Sequence, residues 1–169
     1  LNQAGFVFPF PTHQGSFDLS YLLHIPNMVV SSPKDGNELK DLMFTAYKYD
    51  KGPFAIRYPK SVAEPYDENK EPTELKLGSW EVMSEGKEVA ILAVGPLVKT
   101  ALESAKILEN NGVFPEVVNA RFIKPLDEEY LKNKFSRFST VVTIEENSLI
   151  GGFGAYLDLS LQSLGIKVK

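Results

Sequence analysis

The sequence predicts an α/β protein built on mostly parallel sheets, and three observations predict it. Short β-branched or wholly apolar runs alternate with longer stretches whose apolar residues recur at helical spacing. The connections between them are brief and punctuated by Gly, Pro or Asn. One run, Val89-Ala90-Ile91-Leu92-Ala93-Val94, is continuous rather than alternating, as a strand covered on both faces must be.

In order along the chain, Met28-Val29-Val30-Ser31 is a β-branched run closed by Ser32-Pro33. Asp35-Gly36-Asn37-Glu38 then supplies helix-start chemistry, and Leu39, Leu42, Met43, Ala46 and Tyr47 share one helical face. Gly52-Pro53 stops that helix, and Phe54-Ala55-Ile56-Arg57-Tyr58 reads as a buried strand ending at Pro59. Strand, helix and strand with short connections predict a right-handed βαβ unit. From Val62 to Lys76 the acidic residues Glu64, Asp67, Glu68, Glu71 and Glu74, with Pro65 and Pro72, leave no apolar period. This stretch is expected to be an exposed linker between two domains, residues 1–61 and 77–169, with a long surface loop as the alternative.

Past the linker, Trp80-Glu81-Val82-Met83 is strand-like and Glu85-Gly86-Lys87 is a turn into the continuous run. After Gly95-Pro96, Leu97, Val98, Ala101, Leu102, Ala105 and Leu108 form one helical face that Asn110-Asn111-Gly112 terminates. Val117-Val118-Asn119-Ala120 is a strand, Pro125-Leu126-Asp127 opens a helix through Phe138, and Thr140-Val141-Val142-Thr143-Ile144 is the next strand. A helix from about Phe153 to Leu164 precedes Ile166-Lys167-Val168-Lys169, expected to begin a further strand and so to mark a truncated second domain.

Composition narrows the chemistry. The 169 residues carry a net charge of −4 with a pI near 5.3, which disfavours a nucleic-acid surface. Without cysteine there is no disulfide framework, thiolate nucleophile or Cys-based metal site, and His13 and His24 are the only histidines. No apolar run is long enough to span a membrane, and the chain as given opens at Leu1 without a charged-then-apolar leader; a cytoplasmic location is the expectation. The absence of an initial Met suggests a piece of something longer.

Four segments carry chemistry beyond packing. In Pro11-Thr12-His13-Gln14-Gly15-Ser16-Phe17-Asp18, His13 stands in a polar, Gly-flanked loop before a helix. That placement suits proton transfer or polarisation of a substrate oxygen, although on spacing alone a loop histidine bonded to backbone is the favoured reading. His24 has no motif around it. Arg57-Tyr58-Pro59-Lys60 closes a parallel strand, where ligands of open α/β sheets bind. Arg57 and Lys60 there suit an anionic substrate such as a phosphate ester, or form an ordinary salt-bridged strand end. Arg121 and Lys124 lie beside helix-start chemistry and are expected to be structural. Glu145-Glu146-Asn147-Ser148-Leu149-Ile150-Gly151-Gly152-Phe153-Gly154 offers paired carboxylates and a Gly-rich turn into a helix, an acid/base pair or a phosphate cradle. The carboxylates would repel phosphate, and no P-loop lysine or dinucleotide fingerprint is present, so close helix–sheet packing at the glycines is the simpler expectation.

Taken together, PTHQGSFDLSYLLHIPNM, GPFAIRYPK, NARFIKPLDE and TIEENSLIGGFGAYL resemble the thiamine-diphosphate enzymes of the transketolase group, and within it the 1-deoxy-D-xylulose-5-phosphate synthase family. The resemblance runs from Ala4 to Lys169. It implies the end of a pyrimidine-binding domain followed by a transketolase C-terminal domain. It further implies a homodimeric transferase using thiamine diphosphate and Mg²⁺ to condense pyruvate with glyceraldehyde 3-phosphate, a step toward isoprenoids, thiamine and pyridoxal. By the family's motifs His13 corresponds to the active-site histidine, and Lys60 replaces the arginine that holds the sugar phosphate. Lysine keeps that charge but loses the bidentate fork. Neither the Gly-Asp-Gly metal motif nor the cofactor-activating glutamate occurs in this stretch, so no cofactor or metal ligand is assigned to it and the isolated chain is expected to be inactive. Asn2-Gln3-Ala4-Gly5-Phe6-Val7-Phe8-Pro9-Phe10 also departs from the family's Asp-Arg-Ala-Gly and glycine-loop pattern. Two other readings stay open: a separate subunit of a split transketolase or an E1 β-type enzyme, and a non-catalytic dimerisation module.

Overall fold

The computed structural model describes residues 2–4, 15–59 and 66–168. The first half holds strands β1 (Asn2–Ala4), β2 (Val29–Ser31) and β3 (Phe54–Pro59) with helices α1 (Asp18–Leu22) and α2 (Gly36–Lys48). The second holds β4 (Glu81–Ser84), β5 (Val89–Ala93), helix α3 (Leu97–Glu109), β6 (Glu116–Asn119) and β7 (Phe122–Lys124). Helix α4 (Glu128–Lys134) runs into a 3₁₀ turn at Phe135–Arg137 and is followed by β8 (Thr140–Ile144) and helix α5 (Phe153–Leu164).

Local chemistry explains the helix starts. The Asp35 side chain accepts the Glu38 N–H at 2.8 Å and caps α2, and Asp127 accepts the Tyr130 N–H at 2.9 Å and caps α4. The second Asp127 oxygen takes the Trp80 N–H at 2.8 Å, so one carboxylate fixes both a helix end and the approach to β4. Helix α5 ends on Gly165 at φ 68°, with the Gly165 N–H on the Gln162 carbonyl and the Ile166 N–H on the Leu161 carbonyl, a Schellman closure. That closure overturns the expected strand at Ile166: residues 166–168 form none. The Ile166 donor is held by the helix end, and its side chain packs on the core instead.

Among the described residues the strands form two sheets, in the orders β1-β3-β2-β7 and β4-β6-β5-β8. The pairs β1–β3, β2–β3, β5–β6 and β5–β8 are parallel, as the sequence predicts; β2–β7 and β4–β6 are antiparallel. Strand β5 shows why its run had to be continuous. Ala90 and Leu92 face one core with Trp80, Phe135 and Phe153, whereas Ile91 and Ala93 face another with Val98, Ala101 and Ala105 of α3.

Strand β7 is the exception to a clean division into halves. It comes from the second half but pairs with β2, with Val30 opposite Lys124 and Ser31 opposite Phe122. Beside it the Ser32 N–H donates to the Arg121 carbonyl at 2.9 Å. A polar cluster covers the same junction. The buried Glu38 carboxylate accepts the Lys34 N–H at 2.7 Å and the Asn119 amide at 2.8 Å, with Arg121 at 3.5 Å. Lys34 also reaches Glu81 at 3.0 Å. The expected linker is largely exposed over its described part but does not swing free. Lys40 of α2 donates to the carbonyls of Asp67, Glu68 and Lys70, while Asp41 and Thr45 accept the N–H groups of Thr73 and Leu75.

Two outcomes test this packing. A Cβ at Gly86 would lie 1.9 Å from the Glu116 backbone nitrogen, so Gly86→Ala is expected to cost at least about 2 kcal/mol in urea unfolding. Burial, opposed by Lys34 and Arg121, raises the Glu38 pKa above its usual value. A raised acid contributes stability below its unfolded pKa that is lost as pH rises through the folded one. The stability of the wild type relative to Glu38→Gln should therefore be greater near pH 4 than at pH 7, measured by denaturant titration at both.

Candidate active site

The carboxyl ends of parallel strands from both sheets meet across the junction. Gly95, after β5, approaches so closely to Ser32, after β2, that a Cβ there would sit 2.4 Å from the Ser32 hydroxyl. Asn119 at the end of β6 meets Glu38, and Arg57 near the end of β3 meets Glu146 just past β8. Where ligands of α/β sheets commonly bind, this chain brings its own polar groups together.

Arg57 is the centre of that contact. Its side chain is almost wholly buried, at 3% exposed. One terminal guanidinium nitrogen donates to the Glu146 carbonyl at 2.5 Å and the Gly15 carbonyl at 3.4 Å. The other lies 3.8 Å from the Glu146 carboxylate. Burial pushes the Arg57 pKa down, and the charges of Glu146, Asp18 and Glu145 hold it up. Asp18, also buried, opens α1 and accepts the Tyr21 hydroxyl at 3.0 Å. Asp18 Oδ2, Arg57 Nε and Asn147 Oδ1 are buried without a hydrogen-bond partner among the described residues. Such atoms are uncommon in folded proteins.

The loop after β8 is built by its glycines and Glu145. The Glu145 carboxylate accepts the Phe153 and Gly154 N–H groups at 2.7 and 2.9 Å, capping α5 across the turn. A Cβ at Gly152 would stand 2.6 Å from the Ser148 carbonyl, and one at Gly154 2.7 Å from the Thr143 hydroxyl. Close packing is thus what these glycines provide. Both chemical readings of the segment fall: Glu145 is fixed as a helix cap, Glu146 faces Arg57, and the α5 N–H groups a phosphate would need already hold a carboxylate. The loop docks on α1 through Asn147, whose amide donates to the Ser20 hydroxyl at 2.9 Å, and Ser20 in turn donates to the Ile150 carbonyl at 3.1 Å.

Of the residues singled out in sequence, His13 and Lys60 lie outside the described residues, as does the unusual Gly5–Pro11 stretch. His13 precedes Gly15 by two positions and Lys60 follows the last residue of β3. Arg121 and Lys124 are structural as expected: Arg121 donates to the Ser79 carbonyl and hydroxyl, and Lys124 to the carbonyls of Leu23 and Ile25 after α1. His24 Nδ1 sits 2.5 Å from the Ser20 carbonyl, bonded to backbone. Asp18, Ser20 and Asn147 were not singled out, and their signal is faint. Asp18 reads as an ordinary helix start, and Ser20 and Asn147 become partners only through folding. Among the described residues no group of three or more His, Asp or Glu is placed to hold a metal.

Comparison with known proteins gives this arrangement a family. Residues 7–65 match the transketolase pyrimidine binding domain and residues 78–168 the transketolase C-terminal domain. The 1-deoxy-D-xylulose-5-phosphate synthase of Dictyoglomus turgidum is 47% identical over 161 residues, 94% of this chain and 26% of its own length. That of Bacillus cereus is 48% identical over 143 residues, 85% of this chain and 23% of its own. The chain thus spans about a quarter of the length of these relatives. Among solved structures, a split-gene transketolase described as an inactive β4 tetramer is 34% identical, covering 89% of this chain and 50% of that one, with a TM-score of 0.79. A transketolase from Pichia stipitis, 24% identical over 83% of this chain and 21% of its own, shares the fold with a TM-score of 0.64. With both domain profiles matched in order and the closing half of the chain covered throughout, the chain belongs to the transketolase family.

Proposed function

We propose that this chain is the C-terminal part of a 1-deoxy-D-xylulose-5-phosphate synthase, with residues 1–61 closing the pyrimidine-binding domain, 62–76 linking, and 77–169 in the C-terminal domain. The observation that carries the reading is 47% identity to a synthase running through 94% of the chain, across both domains. The whole enzyme condenses pyruvate with glyceraldehyde 3-phosphate, releases CO₂, works as a cytoplasmic homodimer and uses thiamine diphosphate with Mg²⁺. When bound, the cofactor supplies the electron sink for decarboxylation. The described residues do not fit its diphosphate and metal: they hold no metal-ligating cluster, and the α5 N-terminus is capped by Glu145. None of them is assigned a step through that group.

The chain's own residues have narrower tasks. His13 holds or moves a proton at a substrate oxygen. Lys60, three positions after Arg57 in the sequence, meets the substrate phosphate. A second reading, a separate subunit that needs a partner chain, is favoured by the 0.79 TM-score to the split-gene transketolase, half of which this chain covers.

Assays with Mg²⁺, thiamine diphosphate and both substrates separate the two. The isolated chain is expected to give no product and the full-length synthase containing it to be active. Activity restored by adding a separate partner chain would favour the split-subunit reading. In the full-length enzyme, Lys60→Ala should raise KM for glyceraldehyde 3-phosphate about tenfold, and His13→Ala should lower kcat about a hundredfold. Robust product from the isolated chain would defeat the proposal.

A further inference from the structure

The guanidinium of Arg57 and the amide of Asn147 make parallel ties between the same two segments. Arg57 joins the Gly15 carbonyl to the Glu146 carbonyl, and Asn147, the next residue, joins Ser20 of α1. Between these ties lies the start of α1, where Asp18 is buried with one oxygen unpaired. Gly15 follows His13 by two positions in the sequence. One terminal nitrogen of Arg57 holds both backbone carbonyls, while the other faces the Glu146 carboxylate at 3.8 Å, so the guanidinium grips the turn at two points. Burial of that cation shields the tie from water and from salt. The turn is anchored to α5 by Glu145 and the close-packed Gly152.

We propose that Arg57 is a positioning residue: together with Asn147 it uses the Glu146–Asn147 turn of the C-terminal domain to fix the Gly15–Ser20 segment, which directly follows the His13 motif in sequence. The C-terminal domain then takes part in setting the active site, rather than serving as scaffold alone. The substrate phosphate is left to Lys60. The inference rests on the synthase reading for its kinetic consequence but on the geometry above for the tie itself.

The test has two readouts. In this chain, amide hydrogen exchange at 15–18 and at 146–151 should speed up about tenfold or more in Arg57→Lys, which keeps the charge but loses the second terminal nitrogen that faces the Glu146 carboxylate. In the full-length synthase the same substitution should lower kcat about tenfold or more while KM for glyceraldehyde 3-phosphate stays within about twofold, the reverse of Lys60→Ala. Any limb of the kcat–pH profile that His13→Ala abolishes should move in Arg57→Lys. It should stay put in Leu42→Val, a buried substitution in the cluster of Val29 and Ile56 that serves as the control for general loss of stability. Asn147→Ala removes the second tie and should show the same pattern at smaller amplitude, and it carries the test if Arg57→Lys does not fold. A rise in KM with kcat intact would make Arg57 a phosphate ligand and overturn the proposal, as would unchanged exchange at both segments. A wild-type enzyme without synthase activity would defeat the functional reading instead, and the exchange measurement would still decide the tie.

Discussion

The arrangement depends on one short piece of backbone pairing, that of Phe122–Lys124 with Val30 and Ser31. Strand β2 would otherwise stand at the edge of its sheet with open N–H and C=O groups, and an open edge is a liability. By lending β7 to that sheet, the second half fixes the angle at which the carboxyl ends of its own strands meet those of the first. The contacts of Glu38 with Asn119, Ser32 with Gly95 and Arg57 with Glu146 all presuppose that angle.

The contacts that follow are polar and buried, which makes them exacting. Glu38 accepts from a backbone N–H and an amide and lies beside two cations. Buried polar groups add little net stability when satisfied but cost heavily when one partner is lost. They therefore specify one docking geometry more than they strengthen it. The apolar core that Val30, Trp80, Leu92 and Phe153 share across the junction supplies the bulk of the cohesion.

Much of the fold was legible because periodicity and caps are local. The run at 89–94, the face of α3 and the Asp35 cap each state their element within a few residues. Strand β7 was not legible: Phe-Ile-Lys between Arg121 and Pro125 has no period to read, and its conformation is imposed by β2. The reverse error at Ile166-Lys167-Val168 has the same cause, since β-branched alternation expresses propensity but a strand needs a neighbour. The stretch from Tyr66 to Leu75 reads as a linker because apolar spacing is absent, yet its main chain is held by Lys40, Asp41 and Thr45. Around the site, the motif strings located His13, Arg57 and Lys60, while the partners of Arg57 are backbone carbonyls, which no side-chain pattern announces.

The strapping of the acidic stretch onto α2 bears on how genes of this family can be cut and rejoined. A break or crossover in the 62–76 segment looks harmless on composition, because most of it, residues 66–76, lies between the two matched domains. The structure makes it a demanding joint. One side would carry the Lys40, Asp41 and Thr45 groups that grip the segment, together with Glu38; the other would carry Asn119, Arg121 and the borrowed strand. A chimaera drawn from two lineages would inherit these partners separately, and loss of Asn119 or Arg121 would leave the buried Glu38 carboxylate unanswered. Recombination here is thus constrained by pairs that lie far apart in sequence, and the two domains descend most safely as a unit.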